Sequence, residues 1–334
     1  MSSSEDPWKY FIVKADRFLR KTSEHALQGI NPGGYYHAIW CRDAAYILRD
    51  WFLSGNTQGV LQQIYLIWSH QIHKDQNEKI VYGRGSPERD YSMSLVEGEL
   101  RERFFGALPT TIYQAGYCEI YGENPDIDST ALMISTTSWI LANLVHTHES
   151  ERHFQLPLVP IIALQGEDDE TNADPNASKS NNPSRSAHSH KRVNKSNNNN
   201  YYEAVAKNNN PATDFSHLLD FTIVRMLKAV DYLSSRDIDN DGLLEQNHNE
   251  DWMDTVLRAG KIVYSQASSI LALSNLASLL EKLKGYEKDI IKVSKLARRT
   301  IQGVEQNLWS EEDGAYIDIQ ETHHIGGPYR TLTQ

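Results

Sequence analysis

Acidic residues are concentrated in one stretch of the chain, 237–266, which reads DIDNDGLLEQNHNEDWMDTVLRAGKIVYSQ. Near its middle, Glu250, Asp251 and Asp254 flank Trp252. An apolar neighbour raises the pKa of a carboxylic acid and keeps it protonated at neutral pH. The stretch therefore has the composition that general-acid catalysis requires. The alternative is a solvated acidic turn with no chemical role.

The start of this stretch also resembles the beginning of a calcium-binding loop. Asp237, Asp239 and Asp241 place side-chain oxygens at alternate positions, and Gly242 follows them at the turn. The twelfth position of an EF-hand loop, which needs a bidentate Glu, is His248 here, so an EF-hand is excluded. A calcium turn of another kind stays an alternative, and we favour a hydrogen-bonded Asx turn without a metal.

A second group of candidate residues lies near the N-terminus, where the aromatic segment 35–40 leads into Arg42 and Asp43. An Arg–Asp pair offers fixed hydrogen-bond donors and acceptors, and aromatic rings such as that of Trp40 offer flat faces to sugar rings. The alternative is that Asp43 only caps a helix.

A third group, at 124–130, reads NPDIDST and includes Asp128. Its alternative interpretation is again a helix cap, because Asp and Ser are preferred at that position.

These residues require elements that hold them in place, and the hydrophobic pattern predicts mainly helices. A mostly apolar helix at 267–283 precedes a helix with a one-sided apolar stripe at 290–308, as alternating inner and outer layers require. Short strands or turns are predicted at 110–113 and 314–320. The predicted helices cover 8–28, 43–53, 57–73, a segment that begins at 128 or 129, 215–233, 267–283 and 290–308.

One segment, 165–212, differs from the rest. It is rich in Asn and Ser and nearly free of large apolar residues. Such a segment cannot bury enough surface to offset the loss of chain entropy, so we expect it to be disordered. Because similar helical patterns lie on both sides, we expect an insert within a single domain that covers 1–334, and an all-α fold of about seven helices.

Composition narrows the functional classes. The net charge of −11 and the lack of a basic stripe argue against nucleic-acid binding. No apolar segment is long enough to span a membrane, and the first residues lack the charged region and following apolar run of a signal peptide, so we expect a cytoplasmic protein without a membrane partner. The two cysteines, Cys41 and Cys118, predict neither a disulfide framework nor a zinc site. We expect no cofactor.

The three groups occur in a distinctive order: WCRD at 40–43, NPDIDSTAL at 124–132, and DWMDT at 251–255 followed by GKIVYSQASSILALSNL at 260–276. This order resembles the glycogen-debranching amylo-α-1,6-glucosidase family, which belongs with the glucoamylase-like six-hairpin glycosidases. The resemblance covers roughly 8–320 apart from the insert. It implies an (α/α)₆ toroid, of which this chain would hold about the first seven helices, and inverting hydrolysis of α-glucosidic bonds in an α-glucan or oligosaccharide.

The resemblance also implies roles for individual residues. Arg42 and Asp43 would hold the non-reducing-end glucose, with Trp40 and Asp128 at flanking positions of the sugar pocket. Asp254 matches the general acid. The catalytic base of the family lies far downstream, which would place it beyond Gln334.

Within the acidic loop, Trp252 would line the pocket beside the general acid. Asp251 is the second candidate for that acid and Glu250 the third. The family has an acidic residue where this chain reads Tyr-Ser-Gln at 264–266. There Gln266 would supply a hydrogen bond to a sugar hydroxyl but no charge.

Other functions stay open at this point. Trehalose hydrolysis and glycoside phosphorolysis use related helical barrels. A non-catalytic glucan-binding or regulatory protein would retain the Trp residues and the Arg–Asp pair without the base. A calcium-binding structural domain would be built around 237–241. The sequence does not decide the oligomeric state, the linkage preference or the chain-length preference.

Overall fold

A computed structural model describes residues 38–74, 78–83, 94–113, 116–150, 215–253, 256, 258–320 and 330–332. The predicted helix at 8–28 and the 165–212 insert lie outside the described residues. The described part contains seven helices: α1 (Cys41–Leu53), α2 (Thr57–Ser69), α3 (Gly98–Glu102), α4 (Ile127–Ser150), α5 (Phe215–Ser235), α6 (Val263–Leu280) and α7 (Glu287–Asn307). Six of them lie where hydrophobic periodicity predicts them, and the short α3 was not predicted.

The long helices form two rows. In the inner row, α1 packs on α4 and α4 packs on α6. In the outer row, α2 contacts α5 and α5 contacts α7, while each outer helix also packs on an inner one. Along the chain the long helices therefore alternate between inner and outer positions. This alternation confirms the layered arrangement predicted from the apolar patterns of α6 and α7.

Burial explains why α6 is an inner helix and α7 an outer one. α6 buries small and apolar residues on most sides, among them Ala272, Leu276 and Leu280. Charged residues make up 8 of the 21 residues of α7, which buries a single stripe that includes Val293 and Val304. A helix with one apolar stripe can cover a core but cannot lie within it.

The connection between α1 and α2 follows local rules. Gly55, just after α1, has a φ of +89°, the left-handed conformation that glycine adopts without strain. The Asn56 side chain then accepts a hydrogen bond from the backbone N–H of Gly59 at 3.2 Å and caps α2. Both features agree with the predicted end and start of these helices.

The all-α expectation needs correction, because two small sheets accompany the helices. The first has the order β1–β3–β4–β2, with β1 (Ala38–Trp40), β2 (Lys79–Tyr82), β3 (Thr111–Tyr113) and β4 (Tyr117–Ile120). β4 pairs antiparallel with β3 and parallel with β2. Of these strands, only β3 was predicted.

The second sheet has the order β5–β7–β6, with β8 also paired to β7. Its strands are β5 (Lys261–Ile262), β6 (Trp309–Ser310), β7 (Ala315–Gln320) and β8 (Arg330–Leu332). β5 leads directly into α6, so this sheet fixes the point at which an inner helix begins. β7 confirms the strand predicted at the end of the chain. None of the described helices combines the length and apolar character that a bilayer-spanning segment needs.

Candidate functional site

The three inner helices present corresponding residues. Arg42, Asp128 and Tyr264 are each the second residue of their helix, in α1, α4 and α6 respectively. Electrostatic interactions connect all three: Asp128 and Tyr264 both act on Arg42, and Tyr264 interacts with Asp128. The three sequence motifs therefore converge at one end of the inner row.

Arg42 is the cation of this cluster. Its guanidinium contacts the carboxylate of the adjacent Asp43 at 3.2 Å, and both side chains are partly exposed. Burial alone would lower the pKa of the Arg42 guanidinium. The carboxylates of Asp128, Asp43 and Asp126 outweigh that effect, and the pKa is raised. Because α1 begins at Cys41, the interpretation of Asp43 as a helix cap is wrong.

Asp128 is fully buried in the first turn of α4. Two donors lie beside its carboxylate, the Tyr264 hydroxyl and the Ser129 backbone N–H, and both favour the ionised form. Burial raises the pKa of Asp128 to about 7, with the nearby Arg42 opposing this and Asp251 adding to it. A carboxyl group that changes charge near neutral pH is a common feature of functional sites.

Asp126, two residues earlier, is a second buried carboxyl group. It accepts hydrogen bonds from the hydroxyls of Thr110, at 2.7 Å, and Ser129, at 3.1 Å. Burial raises the pKa of Asp126, and the neighbouring Asp128 raises it further. Two carboxyl groups this close do not both ionise easily, so Asp126 and Asp128 behave as a pair.

Glu250 has no exposed surface and is committed to structure. One carboxylate oxygen accepts two hydrogen bonds from Asn124, and the other pairs with Arg236 at 3.0 Å and accepts from the backbone N–H of Asn247 at 2.9 Å. Gly122 also packs against it so closely that a Cβ there would lie 2.5 Å from the Glu250 side chain. With its oxygens occupied in this way, Glu250 is better suited to joining the second and third motifs than to donating a proton.

Asp251 is held in a similar way. Its carboxylate lies 2.6 Å from an Arg258 nitrogen and accepts hydrogen bonds from the Gln246 side chain, at 2.8 Å, and from the Met253 backbone N–H, at 2.9 Å. Arg258 is itself buried and reaches Asp318 on β7 at 3.7 Å. All these partners are donors, so Asp251 acts as an acceptor that positions the loop.

Aromatic side chains provide the accessible part of the cluster. Trp252 is 47% exposed, and its ring meets that of Tyr264 edge to face, with centroids 6.3 Å apart. Tyr46 on α1 is also exposed. Trp40 is partly buried and stacks on Tyr121 at 5.2 Å. Exposed aromatic rings next to an Arg–Asp pair form a surface suited to sugar rings.

Two of the predicted site residues take no visible part in this cluster. Asp254 lies outside the described residues. Gln266 is fully buried, and its side-chain amide forms two hydrogen bonds with the Leu244 backbone. The amide oxygen accepts from the Leu244 N–H at 2.8 Å, and the amide nitrogen donates to the Leu244 carbonyl at 2.7 Å. These two hydrogen bonds resemble the bonds between paired β-strands. They favour a structural role for Gln266 over sugar binding.

The aspartates at 237–241 are paired with basic side chains of the protein. The Lys261 ammonium donates to both Asp239 and Asp241, at 2.6 Å each, and Asp237 pairs with Arg299 at 2.8 Å. Three carboxylate oxygens of this segment lie close enough together to bind a metal ion. The lysine supplies the positive charge that calcium would otherwise bring.

Backbone hydrogen bonds show that this segment is a pair of Asx turns. Asp239 accepts from the N–H of Asp241 at 3.3 Å, and Asp241 accepts from the N–H of Leu243 at 2.9 Å. Each side chain thus bonds to the backbone two residues later. The predicted hydrogen-bonded Asx turn is therefore present, and the absence of a metal ion stays a prediction.

Reciprocal backbone bonds close the third motif into a loop. The N–H of Gln246 donates to the Gly260 carbonyl at 3.0 Å, and the N–H of Gly260 donates to the Gln246 carbonyl at 2.8 Å. Gly260 has a φ of +103°, which glycine tolerates. We call these two bonds the neck of the 246–260 loop.

Three residues of the cluster were not singled out as site residues from sequence. Tyr264 lies within a quoted motif but was noted only where the family has an acidic residue. Asp126 is two residues before Asp128, and the Asp-x-Asp spacing was its only signal. Arg258 had no signal, because its partners Asp251 and Asp318 are distant from one another in sequence.

Comparisons with known proteins add no assignment. No protein-family model matches the chain, and no curated protein matches its sequence at a significant level.

Proposed function

We propose that this protein is a glycoside hydrolase of the amylo-α-1,6-glucosidase and glucoamylase-like type, which removes terminal α-linked glucose from glycogen-like glucans or oligosaccharides with inversion. The proposed fold is part of an (α/α)₆ toroid with the site at the end of the inner helices. The observation that carries the proposal is the convergence of Arg42, Asp128 and Tyr264 from the second position of three inner helices.

The chemistry of the cluster supports sugar binding. A guanidinium and a carboxylate side by side, as in Arg42 and Asp43, donate to and accept from neighbouring sugar hydroxyls. Trp252 and Tyr46 add exposed rings at the same end of the helices. Aromatic and charged groups together match a ligand that has apolar faces and polar edges.

In the proposed mechanism Asp254 is the general acid that protonates the leaving oxygen. The other two candidates, Asp251 and Glu250, have carboxylates occupied by buried arginines and amides. Asp254, the residue that the resemblance matches to the general acid, is therefore the candidate that the proposal retains. An inverting enzyme also needs a base roughly 6.5–9.5 Å from the acid, with a water molecule between base and substrate.

Glucose release from maltotriose, panose and glycogen tests the proposal, with proton NMR to identify the anomer that forms first. The assay is run on this chain and on any longer natural chain that contains it. Inversion at an α-linkage gives β-glucose as the first product. Initial release of α-glucose would contradict inversion.

The variant Asp254→Asn tests the acid. We expect kcat to fall by about 10²–10⁴-fold, because general-acid catalysis contributes that much, while maltotriose binding is retained. Asp313→Asn, in an exposed turn between β6 and β7, is the matched control and should retain full activity. Unchanged turnover in Asp254→Asn would remove this residue from the role.

A glucan-binding protein without hydrolytic activity is the second candidate. It is favoured by the commitment of Asp251 and Glu250 to ion pairs, since a binding site needs positioned loops but no free acid. Maltooligosaccharide binding by calorimetry, together with no glucose release from either chain, would support this candidate over the hydrolase.

A further inference from the structure

A separate cluster of potential ligands lies between α2 and the first sheet. His70 directly follows α2, Glu78 directly precedes β2, and Cys118 lies on β4. Cys118 pairs with Ile80 in the parallel β2–β4 ladder, which brings it beside the start of β2. The three residues come from separate elements and converge on one point.

The atoms of these side chains are close enough to share an ion. The Nδ1 atom of His70 lies 2.5 Å from a Glu78 carboxylate oxygen and 3.9 Å from the Cys118 sulfur, and all three ligand atoms lie within 4.8 Å of one another. Cys118 is fully buried, while His70 and Glu78 are 11% and 13% exposed at their side chains. Solvent can therefore reach one side of the cluster.

We propose that His70, Glu78 and Cys118 bind a divalent transition-metal ion, with Zn²⁺ as the best match. Imidazole, thiolate and carboxylate are the three ligand types that zinc takes in proteins, at about 2.0–2.3 Å. Bonds of that length at tetrahedral angles separate ligand atoms by roughly 3.3–3.6 Å. The His70 and Glu78 atoms now lie closer together than that spacing and the Cys118 sulfur lies farther from His70, so metal binding requires Glu78 to move away from His70 and Cys118 to approach.

The charges of the ligand groups favour a bound cation. The Glu78 carboxylate lies beside the Cys118 sulfur, and a cysteine binds a metal ion as the thiolate. A divalent cation stabilises the thiolate and the carboxylate together, and the thiol proton is released to solvent as the ion binds. Three protein ligands leave a fourth position for water on the exposed side.

This site is independent of the proposed glucosidase activity. Its ligands would connect the end of the outer helix α2 to β2 and β4. Tyr121, which directly follows β4, stacks on Trp40. The sequence did not predict a zinc site, because the zinc motifs that can be recognised in a sequence contain several closely spaced cysteines or histidines. A site with a single cysteine, assembled from distant elements, has no such signature.

Cobalt binding to the full chain tests the proposal. The chain is first dialysed against a chelator and then titrated with Co²⁺, which forms a thiolate-to-metal charge-transfer band when a cysteine binds it. We expect one equivalent of Co²⁺ to give this band and added Zn²⁺ to remove it. A correctly folded chain that gives no band would overturn the proposal.

Variants identify the ligands. Cys118→Ser should lose the charge-transfer band, and His70→Gln and Glu78→Gln should weaken Co²⁺ binding. Cys41→Ser is the matched control, since Cys41 is also a buried, free cysteine but is not one of the three ligands. Loss of the band in Cys41→Ser but not in Cys118→Ser would contradict the assignment.

X-ray absorption on the zinc-loaded wild type provides a test that no variant can obscure. One sulfur and about three nitrogen or oxygen neighbours are expected in the first coordination shell. A shell that contains no sulfur would rule out this site even if Cys118→Ser does not fold.

Discussion

The Glu250 carboxylate accepts two hydrogen bonds from Asn124, one from the backbone N–H at 2.9 Å and one from the side-chain amide at 2.6 Å. These bonds connect the loop before α4 with the loop before β5. The same carboxylate pairs with the nearly buried Arg236. The second and third motifs therefore keep their relative positions through one buried acid.

Substitution of this acid should destabilise the fold. In Glu250→Gln the Arg236 guanidinium stays buried without its counter-charge, so we expect the free energy of unfolding to fall by about 3–5 kcal/mol. Denaturant unfolding, followed by circular dichroism, measures this. Asp231→Asn is the control, because Asp231 pairs with Lys292 on the exposed surface, where the loss stays within about 1 kcal/mol. Equal stability of the two variants would contradict a structural role for Glu250.

Arg42 should dominate sugar affinity. Arg42→Lys keeps the charge but loses the forked donors, so we expect the Kd for maltotriose to rise by about 10–100-fold, the range for a lost hydrogen bond to a charged group. Titration calorimetry measures the affinity. Arg49→Lys, on an exposed position of the same helix, should bind like the wild type. Comparable losses in both variants would assign the effect to α1 as a whole.

The buried Asp128 predicts a dependence of stability on pH. Its pKa is raised by burial from the ordinary value of 3.8 to about 7, so the folded state binds its proton more tightly than the unfolded state does. The contribution of Asp128 to the free energy of unfolding should therefore be highest below about pH 4. It should fall, by on the order of 4 kcal/mol, as the pH rises to about 7.

Asp128→Asn removes this titration, and the difference between its stability and that of the wild type should grow from pH 4 to pH 7. Denaturant midpoints at several pH values provide the measurement. Asp50→Asn, an exposed carboxylate on α1, should parallel the wild type at every pH. A wild type and Asp128→Asn with parallel profiles would show that Asp128 is ionised throughout.

Lys261 predicts the response to calcium. Because its ammonium already bridges Asp239 and Asp241, millimolar Ca²⁺ should leave the Tm of the wild type unchanged. In Lys261→Met the two carboxylates lose their cation, so the Tm should fall. A marked rise in the wild-type Tm with Ca²⁺, reversed by a chelator, would restore the interpretation as a calcium-binding turn.

Local patterns predicted the helices well because each long helix has either an apolar face, as in α7, or a nearly continuous apolar run, as in α6. The apolar stripe of α7 and the Gly55–Asn56 turn are legible in a short window of sequence. The Asx turns at 239 and 241 follow in the same way, since each bond spans two residues. These features depend on neighbours in the chain, which is the information that a single sequence contains.

The sheets and most of the site depend on distant contacts. β2 and β5 have only four and two residues, too few for an alternating pattern, and β2 pairs with a strand far along the chain. The partners of Asp251 were equally hidden: Arg258 is close in sequence, but its burial depends on β7. The order of the three motifs predicted their convergence, whereas the roles of Glu250 and Gln266 emerged only from their contacts.

The neck between Gln246 and Gly260 has a consequence for how this protein can change. Two reciprocal bonds join the ends of the loop. Between them the Glu250 and Asp251 carboxylates are anchored to Arg236 and Arg258, so the exposed Trp252 is the position at which a substitution leaves both the neck and the anchors in place. Insertions at the outer end of the loop would leave the helical framework intact. Laboratory selection for altered ligand binding should therefore accept changes at Trp252, whereas changes at the neck residues Gln246 and Gly260 or at the anchors Glu250 and Asp251 should be rejected.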